Sequence, residues 1–286
     1  MRFLATLLMW LVTTILVALA VPAAWVQQHL VDADGYAALA QRAAGTSQLQ
    51  GAMAAELGGQ LKKTVAGTGF DVSTDQLTAA ASIYTGSAPF PNQFAQANRL
   101  AHRWLFTNAV QGTDAAGRWQ LDLTPMLADS SFRKSLNDFG IEVPSTLAVP
   151  LTDNVPQGLR PGRLQALAAW GPWVSVGLTV LAVVAALLTL FIARSRGKML
   201  AALGVSALLV GGAGWAAIEF GRRHLNQALD TTSGNIRRIA EVMVDTAEAS
   251  MHQWLNISLI VGGGLVVIGV IVTLLVGLAK TGQPHR

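Results

Sequence analysis

Four segments of this chain are long and apolar enough to cross a lipid bilayer, and they restrict the fold more than any other feature. They cover residues 3–26, 171–193, 199–218 and 255–279, and none contains a charged side chain. About 20 helical residues are enough to span the hydrocarbon core. Only 13% of the residues are charged, compared with about 25% in an average soluble protein. The sequence therefore predicts a mainly α-helical membrane protein with four transmembrane helices.

The first apolar segment is separated from the other three by a long stretch of ordinary polarity. This spacing divides the chain into transmembrane helix 1 at 1–26, an extracytoplasmic α+β domain at 27–168, transmembrane helices 2 and 3 at 169–219, an extracytoplasmic amphipathic helix at 220–254, and transmembrane helix 4 with a cytoplasmic tail at 255–286. The first segment is longer than the 7 to 15 apolar residues of a secretory signal, so we interpret it as an uncleaved signal anchor.

Basic residues near the ends of the apolar segments predict the orientation. Short cytoplasmic segments are enriched in Lys and Arg. Placing both termini in the cytoplasm of a plasma (inner) membrane puts six basic residues on that side: Arg2, Arg194, Arg196, Lys198, Lys280 and Arg286. Arg222, Arg223, Arg237 and Arg238 would then face outward, although acidic residues accompany them in the same loop.

The stretch from 27 to 168 carries helix and strand patterns, from which we predict the α+β domain. Apolar residues at three- and four-residue steps predict helices over 29–65, with a boundary at Gly45-Thr46, and over 92–110. Ser73 and Gln76 have the spacing of a capping box. Polar and apolar residues alternate over 118–123, which predicts a strand that pairs with a second strand over 145–151.

Two sequence patterns in this domain resemble a known family. The combination ANRLAHRWL, then a turn, then GRWQLDLTP, placed after one N-terminal anchor and before three further spans, resembles integral membrane proteins of actinobacteria, a family with no assigned reaction. The resemblance covers the whole topology and is most specific over residues 96–125. It implies a setting in the cell envelope, and it supplies no catalytic residues.

The residue types needed for most enzyme chemistry are missing or scattered. The chain has no cysteine, which excludes disulfides, thiolate metal sites and a cysteine nucleophile. Its five histidines lie far apart, without a second ligand at metal-binding spacing. Neither a Walker A motif nor a dinucleotide fingerprint occurs. We therefore expect no catalytic residues, no metal and no cofactor, and the scattered basic residues predict no nucleic-acid partner.

The most distinctive polar residues form a candidate interaction surface. Three are on the helix over 92–110, one is in the first strand, and three are in the amphipathic segment: Arg99, His102, Arg103, Asp122, Arg237, Arg238 and Glu241. The amphipathic segment has three possible positions, which are on the membrane surface, against the 27–168 domain, or on another protein.

These features lead to two hypotheses about function. The first is a non-catalytic interaction or accessory subunit of a cell-envelope complex, with a protein partner as well as the lipid bilayer. The alternative is a transport or lipid-handling component with an apolar extracytoplasmic cavity. Within the spans, Gly212 and Ala216 have the four-residue spacing of a helix-packing notch.

Overall fold

The computed structural model describes residues 2–65, 73–107, 120–122, 148–150, 162–229 and 234–281. The regular elements in these ranges, in chain order, are α1 Arg2–Val26, a π-helical turn Gln27–Val31, α2 Ala33–Ala44, α3 Ser47–Val65, α4 Thr74–Thr85, α5 Phe90–Phe106, β1 Gln120–Asp122, β2 Ala148–Pro150, α6 Gln165–Ile192, α7 Arg196–Leu229 and α8 Gly234–Thr281. Four of these helices contain segments that are long and apolar enough to cross a membrane: Leu4–Val31, Gln165–Ile192, Arg196–His224 and Gly234–Leu278. The prediction of a multi-pass, mainly helical membrane protein is confirmed at this level.

The chain forms two compact units. The membrane unit consists of Met1–Gln28, Trp170–Leu225 and Glu248–Arg286, and the polar unit consists of His29–Ala169 and Asn226–Ala247. The membrane unit therefore contains the apolar part of each of the four long helices.

In the membrane unit, α7 and α8 approach each other along a line of glycines. A Cβ atom added to Gly204 would lie 2.6 Å from the carbonyl oxygen of Gly262, and one added to Gly262 would lie 2.9 Å from the carbonyl oxygen of Gly204. A Cβ atom added to Gly197 would likewise lie 2.9 Å from the carbonyl oxygen of Gly269. The later residue of α7 thus pairs with the earlier residue of α8, which shows that the two helices are antiparallel. Gly212 has no neighbouring atom within 4 Å of such a Cβ, so the predicted notch at Gly212 and Ala216 is wrong. The contacting glycines are seven residues apart, a spacing that favours a small crossing angle.

Helix α1 makes polar contacts with each of the other three membrane helices. Thr13 and Thr189 of α6 are both fully buried, and one hydroxyl donates to the other at 3.1 Å. Toward α7, the Trp10 indole donates to the carbonyl oxygen of Ala202 at 3.0 Å, and the hydroxyls of Thr14 and Ser206 are 2.7 Å apart. Toward α8, the Trp25 indole donates to the Ser250 hydroxyl at 3.3 Å. These bonds position α1 within the bundle, because lipid provides no alternative partner for such groups.

The polar unit is a group of short helices around one apolar core. The core contains residues from α2, α3, α4, α5 and the first turns of α8: Ala43, Ala44, Leu49, Leu61, Leu77, Ala80, Tyr84, Phe90 and Val242. Two local predictions are confirmed, since α2 ends at Gly45 and α4 begins with a capping box between Ser73 and Gln76. The cap stabilises the start of α4, because it satisfies backbone donors that the first turn leaves without an acceptor.

The α+β class predicted for this domain is not supported by the described residues. Their strands are limited to one antiparallel ladder of three residues on each side, in which Leu121 pairs with Val149. These short strands lie in the two segments that were predicted to pair, but every other regular element in the described ranges is helical. The described part of the domain is therefore mainly α.

The amphipathic segment is not a helix of its own. Helix α7 continues past the apolar run to Leu229, and α8 starts at Gly234 and runs without interruption to Thr281. Val242 is buried in the core of the polar unit, with Ile239 and Met243 packed against it. Of the three positions considered, packing against the domain is therefore the one observed. The reason is that the apolar side of this segment joins the core that α2, α3, α4 and α5 share.

Candidate functional site

Helix α5 carries three of the predicted interaction residues and is the best candidate for a site. Its N-terminus follows Pro89, with Pro91 in the first turn, where a missing backbone donor costs little. Its last turn is closed by Thr107, whose backbone N–H and hydroxyl both donate to the carbonyl oxygen of Arg103. Five residues of the helix are buried: Phe90, Ala95, His102, Trp104 and Phe106.

His102 is buried near the end of the helix and forms a hydrogen bond with a backbone carbonyl group that is distant in sequence. Only 7% of His102 is exposed, and its Nε2 is 3.0 Å from the carbonyl oxygen of Leu30. A carbonyl only accepts, so Nε2 carries the hydrogen in this contact. The imidazole stacks on the ring of Phe106 at 4.1 Å between centroids, and the ring of Tyr36 lies 5.3 Å away.

This environment explains the protonation state of His102. Burial lowers the pKa of the imidazole from its ordinary value of 6.5, and the hydrogen bond to Leu30 and the charge of Asp32 oppose this shift only in part. Burial also raises the pKa of the neighbouring Tyr36 hydroxyl. His102 is therefore a neutral hydrogen-bond donor within the domain. Its assignment to the interaction surface was wrong, because its contacts with Leu30 and Phe106 leave almost none of it accessible.

The same end of α5 also binds the segment that leads into α6. The N–H of Gly162 donates to the carbonyl oxygen of Trp104, and the N–H of Leu164 donates to that of Leu105, both at 3.1 Å. Gly162 adopts a positive φ of 69°, which a side chain at that position would disfavour. The last turn of α5 thus holds the segment that follows α1, through Leu30, and the segment that precedes α6.

The exposed side of α5 has a mixed polar and apolar character. Arg99 pairs with Asp34 of α2 at 2.7 Å, while Arg103 is exposed. Leu100 is 50% exposed, and it is one helical turn from both Gln96 and Arg103. We call Gln96, Leu100 and Arg103 the α5 face. Leu100 was not among the residues predicted for the interaction surface, because only polar residues were considered for it.

The remaining members of the predicted surface are distributed over other elements. Arg237 and Glu241 satisfy each other in an ion pair of 2.8 Å within α8, and Arg238 is exposed on the same helix. Asp122 belongs to β1, and its side chain lies outside the described residues.

Comparison with known proteins adds no assignment for this arrangement. No family model, no curated protein sequence and no solved structure matches the chain. Within the ranges that the structure describes, no group of three or more His, Asp or Glu side chains has a geometry suited to a metal ion. Among the described residues, the α5 face and the packed membrane helices are the features that suggest a function.

Proposed function

We propose that this chain is a non-catalytic interaction or accessory subunit of a cell-envelope complex, with the polar unit on the extracytoplasmic side of the plasma membrane. The observation that carries this proposal is the direct backbone contact between α7 and α8. The small residues of these helices are used for packing within the bundle, as expected for a membrane anchor. Such a bundle acts as an anchor for the polar unit, and the polar unit offers the surface for a partner.

The packing of the spans favours an anchor over a transport or lipid-handling component. Transport sites are usually built from broken helices and ionisable side chains near the middle of the membrane. Here α7 and α8 are continuous, and the four apolar segments contain no charged residue. The buried hydroxyls of Thr13 and Thr189 lie 3.1 Å apart, and each also lies within hydrogen-bond distance of a carbonyl oxygen of its own helix, so the one hydrogen of each hydroxyl has an acceptor. These hydroxyl groups therefore contribute to helix packing and are not available to bind a substrate.

The distribution of charge along the bundle supports the orientation. Contacts of Trp10 with Ala202 and of Gly197 with Thr273 bring the start of α1, the turn before α7 and the end of α8 to one end of the membrane unit. The segments 2–13, 186–205 and 262–281 at that end contain basic residues and no acidic residue. Positive charge at one end is typical of the cytoplasmic side. We therefore propose cytoplasmic termini, together with membership of the actinobacterial family that the sequence resembles.

The α5 face is the proposed contact with the protein partner. Interfaces commonly have an apolar centre, and arginine is enriched among the residues that contribute most to binding. Leu100 and Arg103 supply this combination on a helix that is held at its last turn by His102 and Gly162. A fixed helix reduces the entropy lost when the surface is covered.

Affinity capture of the tagged, full-length chain from its native membranes tests this proposal. The variant Leu100→Glu with Arg103→Glu should lose a partner that the unmodified chain retains. The variant Ile83→Glu is the matched control, because Ile83 is also an exposed apolar residue of a helix in the polar unit, at 55% exposure. It should retain the partner. Cross-linking before solubilisation followed by mass spectrometry identifies the captured protein.

The proposal fails if the unmodified chain captures nothing beyond what an unrelated four-span protein captures. The proposed role of the α5 face fails if the Leu100 and Arg103 variant retains the partner as well as the control does. Retention of the native thermal transition in both variants shows that the fold has not been lost.

A further inference from the structure

The turn between α6 and α7 carries three exposed basic side chains. Helix α6 ends at Ile192 and α7 begins at Arg196, so the connection is short. Arg194, Arg196 and Lys198 are all exposed, and within the described residues none of them has a carboxylate at ion-pair distance. Three cations so close together in the chain are a strong local source of positive potential.

The packing of the membrane unit brings the ends of two further helices to the same place. The close approach of Gly197 and Thr273 places the last turns of α8, which include Lys280, beside this turn. The bond from Trp10 to Ala202 places the start of α1, which begins at Arg2, at the same end.

Exposed apolar side chains lie directly next to these charges. Phe191 is 77% exposed and Ile192 is 46% exposed at the end of α6, and Leu278 is 69% exposed near the end of α8. A ligand that fits such a surface has an apolar body and an anionic head. Because these apolar residues belong to spans of the membrane unit, the ligand would lie beside the bundle.

We propose that this end of the membrane unit binds an anionic phospholipid. The lipid phosphate contacts Arg194, Arg196 and Lys198, and one acyl chain lies along Phe191. A zwitterionic lipid gains less there, because its own positive group is repelled by the same cations. The inference concerns lipid selectivity, and it does not depend on the protein partner proposed above.

The other end of the membrane unit provides a matched control. Arg222 and Arg223 are two cations near the other end of α7, but Arg222 lies 3.6 Å from Glu248. An acidic neighbour reduces the attraction for a phosphate. Removing two charges at this end should therefore have much less effect on lipid binding than removing two charges near the α6–α7 turn.

Native mass spectrometry of the full-length, delipidated chain in mild detergent tests the proposal. The probes are phosphatidylglycerol and phosphatidylcholine with the same acyl chains. We expect the unmodified chain to prefer phosphatidylglycerol. The variant Arg196→Gln with Lys198→Gln should weaken phosphatidylglycerol binding by about 30-fold, since each cation near the surface contributes about 1 kcal/mol. The variant Arg222→Gln with Arg223→Gln should retain the preference.

Three results would overturn the proposal. The first is equal binding of the two lipids by the unmodified chain. The second is an equal loss of phosphatidylglycerol in both double variants, which would indicate a general charge effect. The third is displacement of the lipid by inorganic phosphate at the same phosphate concentration, which would show that the turn binds a free anion and that the apolar residues beside it do not contribute.

Discussion

Substitution of Gly204 by alanine should destabilise the chain, although alanine is the better helix former. The added Cβ would lie 2.6 Å from the carbonyl oxygen of Gly262 and 2.7 Å from the backbone nitrogen of Val266. These are backbone atoms of α8 and cannot rotate away, so α7 and α8 must separate by about 0.8 Å to restore van der Waals contact. Overpacking of this kind costs about 1 to 3 kcal/mol.

The control is the same substitution two turns further along the same helix. Gly212→Ala places a Cβ where no atom lies within 4 Å, so it should gain the helix propensity of alanine, about 1 kcal/mol, without a packing cost. Because this gain is common to both variants, the difference between them isolates the packing term. We expect Gly204→Ala to be less stable than Gly212→Ala by about 1 to 3 kcal/mol.

The assay is unfolding of the full-length chain in mild detergent, driven by heat or by added dodecyl sulfate and followed by tryptophan fluorescence. Equal stability of the Gly204 and Gly212 variants would refute the reasoning, because it would mean that α7 and α8 are not in backbone contact at Gly204.

Three further predictions concern individual hydrogen bonds. Thr13→Val should lower the free energy of unfolding by about 0.6 kcal/mol, and the loss should disappear when Thr189 is already valine; a double-mutant cycle in detergent measures this. His102→Phe keeps the ring stacking but leaves the Leu30 carbonyl without its donor, so it should destabilise the polar unit by about 1 to 3 kcal/mol in thermal unfolding. The pKa of His102 is lower in the folded chain than its ordinary value of 6.5, so its contribution to stability is complete above pH 6.5 and declines as the pH falls below 6.5. The phenylalanine variant should lack this decline. If the two chains lose stability in the same way on acidification, His102 does not titrate as argued. Ser73→Ala removes the α4 cap and should cost about 1 kcal/mol, whereas a thermal midpoint identical to that of the unmodified chain would mean that the cap contributes nothing.

The features that could be predicted from the sequence are those set by local pattern. Long charge-free runs predicted the four spans because the bilayer requires a fixed length of apolar helix. The capping box at Ser73 and the boundary at Gly45 were predictable because they depend on neighbours a few residues away. The apolar face of the segment around Val242 showed that it needed a partner, and one of the partners considered was the domain itself.

The errors arose where contacts between distant residues decide the outcome. His102 was assigned to the surface because it falls largely on the same helix face as Arg99 and Arg103, but its acceptor Leu30 is 72 residues away. Gly212 was chosen for its four-residue spacing to Ala216, whereas Gly197 and Gly204 pack with a seven-residue spacing. Helices α7 and α8 extend well beyond the apolar runs, because hydropathy marks contact with lipid and does not mark where a helix ends.

Labelling of single cysteines in intact cells tests the central claim about topology most directly. The chain has no cysteine, so a single introduced thiol can be labelled without background from other thiols. Ser82→Cys replaces an exposed residue of α4, and Arg194→Cys replaces an exposed residue of the α6–α7 turn. With a membrane-impermeant maleimide, we expect Ser82→Cys to react in intact cells and Arg194→Cys to react only after permeabilisation. Labelling of Arg194→Cys in intact cells, with Ser82→Cys protected until permeabilisation, would contradict an extracytoplasmic polar unit.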